Sequence, residues 1–234
     1  SLSFLILLHL TPNTMKKLLF PFALLAWLAV GAQSFPNKPI FMPYCDATLW
    51  PLFDISKTDS SKACSYVLAF VVDDPGQAGA NPRWGGYSVY DTTHYKTFIQ
   101  QLRNKGGDVM VSFGGANGVD LASATTSLSA LVTAYREIID AYQLKYIDFD
   151  IEGANVANAA TIDLRNKAMV QLKQIYPNLK IWLTLPVLPT GLDFNGLNVL
   201  RTAVVNYKID IDGVNIMTMD YGSGGDMGNH AIIH

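Results

Sequence analysis

A chain of 234 residues, half of them hydrophobic, can bury one large core or two small ones, and a formal net charge of −2 gives no electrostatic ground for nucleic acid or an anionic membrane as partner. No linker rich in Pro, Gly or Ser, no charge block and no low-complexity segment divides it, so a single domain is expected, with a neutral substrate as the better match.

In chain order, the first segments stand outside that domain. Met15, Lys16 and Lys17 form a positive region, Leu18 to Ala29 a short apolar run, and Val30, Gly31 and Ala32 a small-residue cleavage site, the pattern of a secretory signal peptide. The apolar run is shorter than the roughly 20 residues of a spanning helix, and Pro21 interrupts it. The expected layout is an upstream extension over 1–14, a signal peptide over 15–32 and a folded domain over 35–234, in a secreted or periplasmic protein. Export permits a disulfide between Cys45 and Cys64, but two buried thiols fit a large core equally well.

Six apolar, β-rich runs follow: Ile40 to Tyr44, Tyr66 to Val72, Val109 to Phe113, Tyr146 to Ile151, Ile181 to Leu185 and Val214 to Met219. Helical periodicity separates most of them, at Tyr95 to Asn104, Ser127 to Tyr142, Ile162 to Tyr176 and Leu197 to Tyr207. This alternation predicts parallel βαβ units and an α/β domain, either an open doubly wound sheet or a (β/α)8 TIM barrel.

The stretch from Lys145 to Gly153 separates these two. Asp148, Asp150 and Glu152 occupy every second position, so on a strand they share one face, while Ile147, Phe149 and Ile151 share the other. An interior strand with acids on one face suits a barrel, whose chemistry sits at the C-terminal strand ends. Carboxylates held that close cannot all ionise cheaply, so at least one is expected to hold a proton near neutral pH, as a general acid must. Ser112, Gly114 and Gly115 end the third predicted strand with small residues that let a ring or a backbone come near. On the sixth, parity puts Asn215, Met217, Met219 and Tyr221 on one face. No His/Cys cluster has metal-ligand spacing and no Gly-rich phosphate loop is present, so neither metal nor cofactor is expected.

Together these residues resemble the family 18 glycoside hydrolases, the chitinases, and among them bacterial secreted enzymes. Asp148, Asp150 and Glu152 match the last three acids of that family's Asp-x-x-Asp-x-Asp-x-Glu signature; Ser112, Gly114 and Gly115 match Ser-x-Gly-Gly; Met219 and Tyr221 match Met-x-Tyr. Lys145 stands where the first acid would be, and Asp220 precedes the tyrosine where many members have Asp after it.

The resemblance implies retaining hydrolysis of chitin or N-acetylglucosamine oligosaccharides in which the sugar's own acetamido carbonyl attacks. Glu152 would donate the proton, Asp150 would orient the acetamido group, Asp148 would take the shared proton and Tyr221 would hold the acetamido oxygen. Ser112, Gly114, Gly115, Met219 and Asp220 would line the substrate site. Tyr44, Trp50 and Trp84 are candidate stacking platforms, although a structural role is the commoner fate of each. Three alternatives stay open: Asp220 as a protein nucleophile, an endo-β-N-acetylglucosaminidase acting on N-glycans, and a non-catalytic chitin-binding lectin. Six units against eight in the family lead us to expect strands seven and eight beyond this sequence, a poorly soluble, inactive fragment, and a monomer when complete.

Overall fold

Six strands run parallel, in the order in which the chain makes them. In the computed structural model, which describes residues 41–58 and 65–221, they are β1 (Tyr44–Asp46), β2 (Ser65–Asp73), β4 (Asp108–Gly114), β5 (Tyr146–Asp150), β6 (Lys180–Leu188) and β8 (Gly213–Met217), each paired with the next. Two short antiparallel strands are added: β3 (Pro82–Trp84) on β2 and β7 (Gly191–Leu192) on β6. The expected extension and signal peptide, together with Cys64, lie outside the described residues.

An order without reversal decides the fold class. A doubly wound sheet turns back at a switch point and carries helices on both faces, whereas right-handed crossovers that always step the same way put every helix on one face. The helices here are α1 (Lys96–Asn104), α2 (Leu121–Ala124), α3 (Leu128–Tyr142), α4 (Ala159–Ile175) and α5 (Phe194–Arg201). Ile147, Phe149 and Ile151 of the β5 segment join one hydrophobic cluster with Leu131, Tyr135 and Ile138 of α3 and Met169 and Leu172 of α4. The chain thus has the α/β architecture of a (β/α)8 barrel, with six of its parallel strands described here.

Helix starts follow their caps. Asp120, Ser127, Asn158 and Asp193 each accept a hydrogen bond from a backbone N–H of the first turn, which supplies an orphan donor with a partner. Hence α4 begins at Ala159, three residues before the apolar stripe suggests, and α5 begins at Phe194 and continues as a π-turn over Thr202–Asn206. The first strand covers Tyr44–Asp46 rather than ending at Tyr44.

Among the aromatic candidates Trp84 is corrected. It is 0% exposed, its Nε1–H donates to Tyr142 Oη at 2.8 Å, and His94, Tyr95 and Tyr142 rings surround it. A ring enclosed on all sides cannot stack on a sugar. Trp50, by contrast, is 86% exposed. Cys45 is a buried free thiol with its Sγ 3.8 Å from Tyr95 Oη. Among the described residues no helix is long and apolar enough to cross a membrane, and no three His, Cys, Asp or Glu side chains gather as metal ligands would.

Candidate active site

Every residue of β5 is buried, so its alternation places Asp148 and Asp150 inside the sheet's inner face and not on a solvated edge. Asp148 is 0% exposed and sits in a knot of hydroxyls. Ser112 Oγ donates to its Oδ2 at 2.6 Å, Tyr44 Oη to the same oxygen at 3.0 Å, and Thr184 Oγ1 to Oδ1 at 2.8 Å. Asn215 Nδ2 in turn donates to Thr184 Oγ1 at 3.1 Å. One carboxylate therefore ties β1, β4, β5 and β6 together, with β8 joined through Asn215. Burial pushes its pKa up from the ordinary 3.8 to about 6, and the three hydroxyls hold it from rising further.

Asp150, one pleat further, is 4% exposed, and its Oδ1 makes no hydrogen bond among the described residues. Burial raises its pKa, the negative charges of Glu152 and Asp148 raise it again, and Glu152 lies within hydrogen-bonding reach. Glu152 is half-buried just past the strand, and burial raises it as well. A proton held at neutral pH is thus best kept on Asp150 and shared with Glu152. Asp148, expected to take the shared proton, has three donors facing it, and burial raises its pKa as well.

The linkage sign follows for Asp148. A carboxyl whose folded pKa is raised binds more protons folded than unfolded between about pH 4 and 6, so it favours the fold below that window, and this contribution is lost as pH rises through it. Asp148→Asn, which cannot ionise, is expected to gain on the wild type in urea-unfolding free energy as pH goes from 4 to 7. A difference that stays flat over that range would contradict a raised Asp148.

Several residues expected to line the substrate pack against the protein groups around Asp148 and Asp150. Ser112 is 0% exposed and its hydroxyl donates to Asp148, which supports that acid. Gly114 has φ +106° and lies against the Asp150 carbonyl, where an added Cβ would come within 2.1 Å of the oxygen. Gly115 has φ +92°, donates its N–H to Asp150 O at 3.0 Å, and faces the Phe70 ring, which an added Cβ would meet at 2.9 Å. What comes near these glycines is protein. Tyr44 serves as a hydroxyl donor to Asp148, and its residue remains 43% exposed.

On the β8 side Glu152, Met219, Asp220 and Tyr221 do come together, lining a cavity of about 270 Å³ with Met217, Asp193 and the β6 end from Pro186 to Leu188. Lys145, in place of an acid at the start of β5, pairs with Asp108 at 3.1 Å, and Asp108 also takes Arg103 Nε at 2.8 Å. Thr184 and Phe70 are additions that the motifs do not point to, whereas parity places Asn215 on the face of Met219 and Tyr221, and it meets Thr184 there. Phe70 lies within a register shift of β2 between Leu68 and Val71, which breaks the alternation that parity relies on, and its ring stands 6.3 Å from that of Tyr44.

The family model described as "Glycosyl hydrolases family 18" matches residues 45–233. The "Probable bifunctional chitinase/lysozyme" of Escherichia coli (strain K12) is 39% identical over 192 residues, covering 80% of this chain and 21% of that protein. "Endochitinase 11" of Metarhizium anisopliae is 38% identical over 193 residues, covering 80% and 36%. The chain therefore spans only 21% and 36% of the length of these curated relatives. Among solved structures, the catalytic domain of a hyperthermophilic chitinase from Pyrococcus furiosus aligns with TM-score 0.70 at 29% identity, over 79% of this chain and 60% of that one.

Proposed function

Because the chain belongs to glycosyl hydrolase family 18, we propose that it is a chitinase, a retaining enzyme that hydrolyses β-1,4-linked N-acetylglucosamine polymers with help from the substrate's acetamido group. The observation that carries this reading is the placement of Asp150 and Glu152 within hydrogen-bonding reach of each other at the end of β5, above an Asp148 fixed by three hydroxyls.

In that reading Glu152 gives its proton to the glycosidic oxygen as the bond to the anomeric carbon breaks. The acetamido carbonyl oxygen bonds to that carbon on the opposite face, and the leaving sugar departs with the proton. Asp150, whose Oδ1 lacks a partner among the described residues, hydrogen-bonds the acetamido N–H, and its charge steadies the cationic ring that results. Water then attacks the anomeric carbon from the face the leaving sugar vacated, the bond from that carbon to the acetamido oxygen breaks to restore the acetamido group, and Glu152 takes the water's proton. Tyr221, on the same cavity as Glu152, would hold the acetamido oxygen.

Asp220 lines that cavity too, which keeps a two-carboxylate mechanism in play. The two differ in one requirement. N-acetylated oligomers should be cut and fully deacetylated ones left intact, as mass spectrometry of the products would record. Comparable cleavage of both would replace the acetamido nucleophile by Asp220. We further propose export directed by residues 15–32, a monomeric enzyme and kinship with secreted bacterial members. N-terminal sequencing of the protein recovered from culture medium tests the export.

A further inference from the structure

One buried charge pair has no part in the chemistry above. Arg165 of α4 is 1% exposed and its Nη2 donates to Asp120 Oδ2 at 2.8 Å, while Asp120 is 8% exposed and also accepts from Ala122 N at 2.7 Å as the cap of α2. The Tyr135 hydroxyl of α3 is a further partner of the guanidinium. Ion pairs this dry are weak sources of net stability, since removing two charges from water offsets most of their attraction. Their position is what matters here.

Asp120 Oδ2 lies 3.6 Å from where a Cβ of Gly114 would stand, and that same position faces the Asp150 carbonyl. The segment between Gly114 and Asp120 is held at its start by Gly115 N–H to Asp150 O at 3.0 Å, and at its far end by Asp73 N–H to Val119 O at 2.8 Å. An unneutralised Asp120 beside that carbonyl would push two electron-rich oxygens apart. The carbonyl belongs to the residue that carries the acid.

We propose that Arg165, acting through Asp120, is a positioning residue for the Asp150–Glu152 pair: it neutralises Asp120 so that the Gly114–Gly115 turn can seat against the Asp150 carbonyl and set the distance between the two carboxyls. The inference rests on the reading of Asp150 and Glu152 as the acid pair. The other ionisable groups about that pair are Asp148 and Tyr44 beneath it, and Asp193, Asp220 and Tyr221 around the Glu152 cavity.

The test uses the full-length protein and two readouts. Carboxyl ¹³C titration follows Asp150 and Glu152 directly, and steady-state kinetics on chito-oligosaccharides separates kcat from KM. In Arg165→Met the titration of the pair should move and kcat per folded molecule should fall by up to about 10²-fold, as a misplacement near 1 Å can cause, with KM near wild type. Arg165→Lys, which returns a counter-charge, should recover much of both. If Arg165→Met does not fold, the double variant Asp120→Asn/Arg165→Met, which removes the charge to be neutralised and keeps the capping oxygen, should leave the titration of the pair at its wild-type position, and a shifted titration there would overturn the proposal. A variant that only melts earlier, with the titration and kcat per folded molecule unchanged, would overturn the proposal. Should the wild type fail to cut chito-oligosaccharides, the chitinase reading falls, and the titration alone still decides whether Arg165 sets the pair.

Discussion

Replacing Glu152 by glutamine is expected to lower turnover of N-acetylglucosamine oligomers by about 10² to 10⁴, the range for loss of a general acid, with binding largely retained. Glutamine keeps the shape and the hydrogen-bonding oxygen but cannot release a proton to the glycosidic oxygen. Neither aspartate of β5 is a ready substitute, since Asp148 is 0% exposed and spoken for by three hydroxyls, and Asp150 is 4% exposed. The pH profile should carry the same signature. Burial raises the Glu152 pKa, so the protonated form persists to higher pH than in an ordinary glutamate, and activity should decline on the alkaline side as that proton is lost. Steady-state kinetics of the purified variant, with binding followed by intrinsic tryptophan fluorescence, checks both parts. Turnover within threefold of wild type would remove Glu152 from the role of acid.

The acids are legible in the amino-acid sequence because their signal is local. A period of two along one strand needs no knowledge of neighbours, and β5 obeys it: Ile147, Phe149 and Ile151 enter the cluster with α3 and α4, and Asp148 and Asp150 face inward. The succession of parallel strands is legible for a similar reason, as each run and each helix announces itself within its own length. Partners across strands are not. Thr184 becomes a hydrogen-bond donor to Asp148 only through the β5–β6 register, which sets Asp148 beside Trp182 and Asp150 beside Thr184, and nothing within residues 180–188 states that register. Phe70 escapes a parity argument because a register shift in β2 breaks the alternation where it would be needed. Trp84 defeats a reading by residue type, since an indole that fills a core and an indole that floors a cleft are alike as letters. The Arg165–Asp120 pair joins residues 45 positions apart, with no motif to draw attention to either.

Glycine at position 114 is the place where backbone geometry and chemistry meet most closely, and Gly114→Ala is expected to destabilise the fold more than any single loss of contact nearby. Two costs add. At φ +106° an alanine is held in a conformation that L residues rarely adopt, worth roughly 1–3 kcal/mol. Its Cβ would also stand 2.1 Å from the Asp150 carbonyl oxygen, which cannot retreat without stretching the 3.0 Å hydrogen bond from Gly115 N–H. Together these reach about 3 kcal/mol or more, a large share of the 5–15 kcal/mol that holds a typical domain together, and a fall in Tm of roughly 6–12 °C at this chain length. Gly153→Ala supplies the control, since Gly153 also has positive φ, at +55°, but nothing lies within 4 Å of its missing Cβ. That variant should lose only about 1 to 2 kcal/mol, the ordinary cost of a left-handed alanine. Differential scanning calorimetry of the two side by side separates strain from collision. If they melt within about a degree of each other, the collision has been relieved at no cost, and the close seat of Gly114 on the Asp150 carbonyl is not what fixes the end of β5.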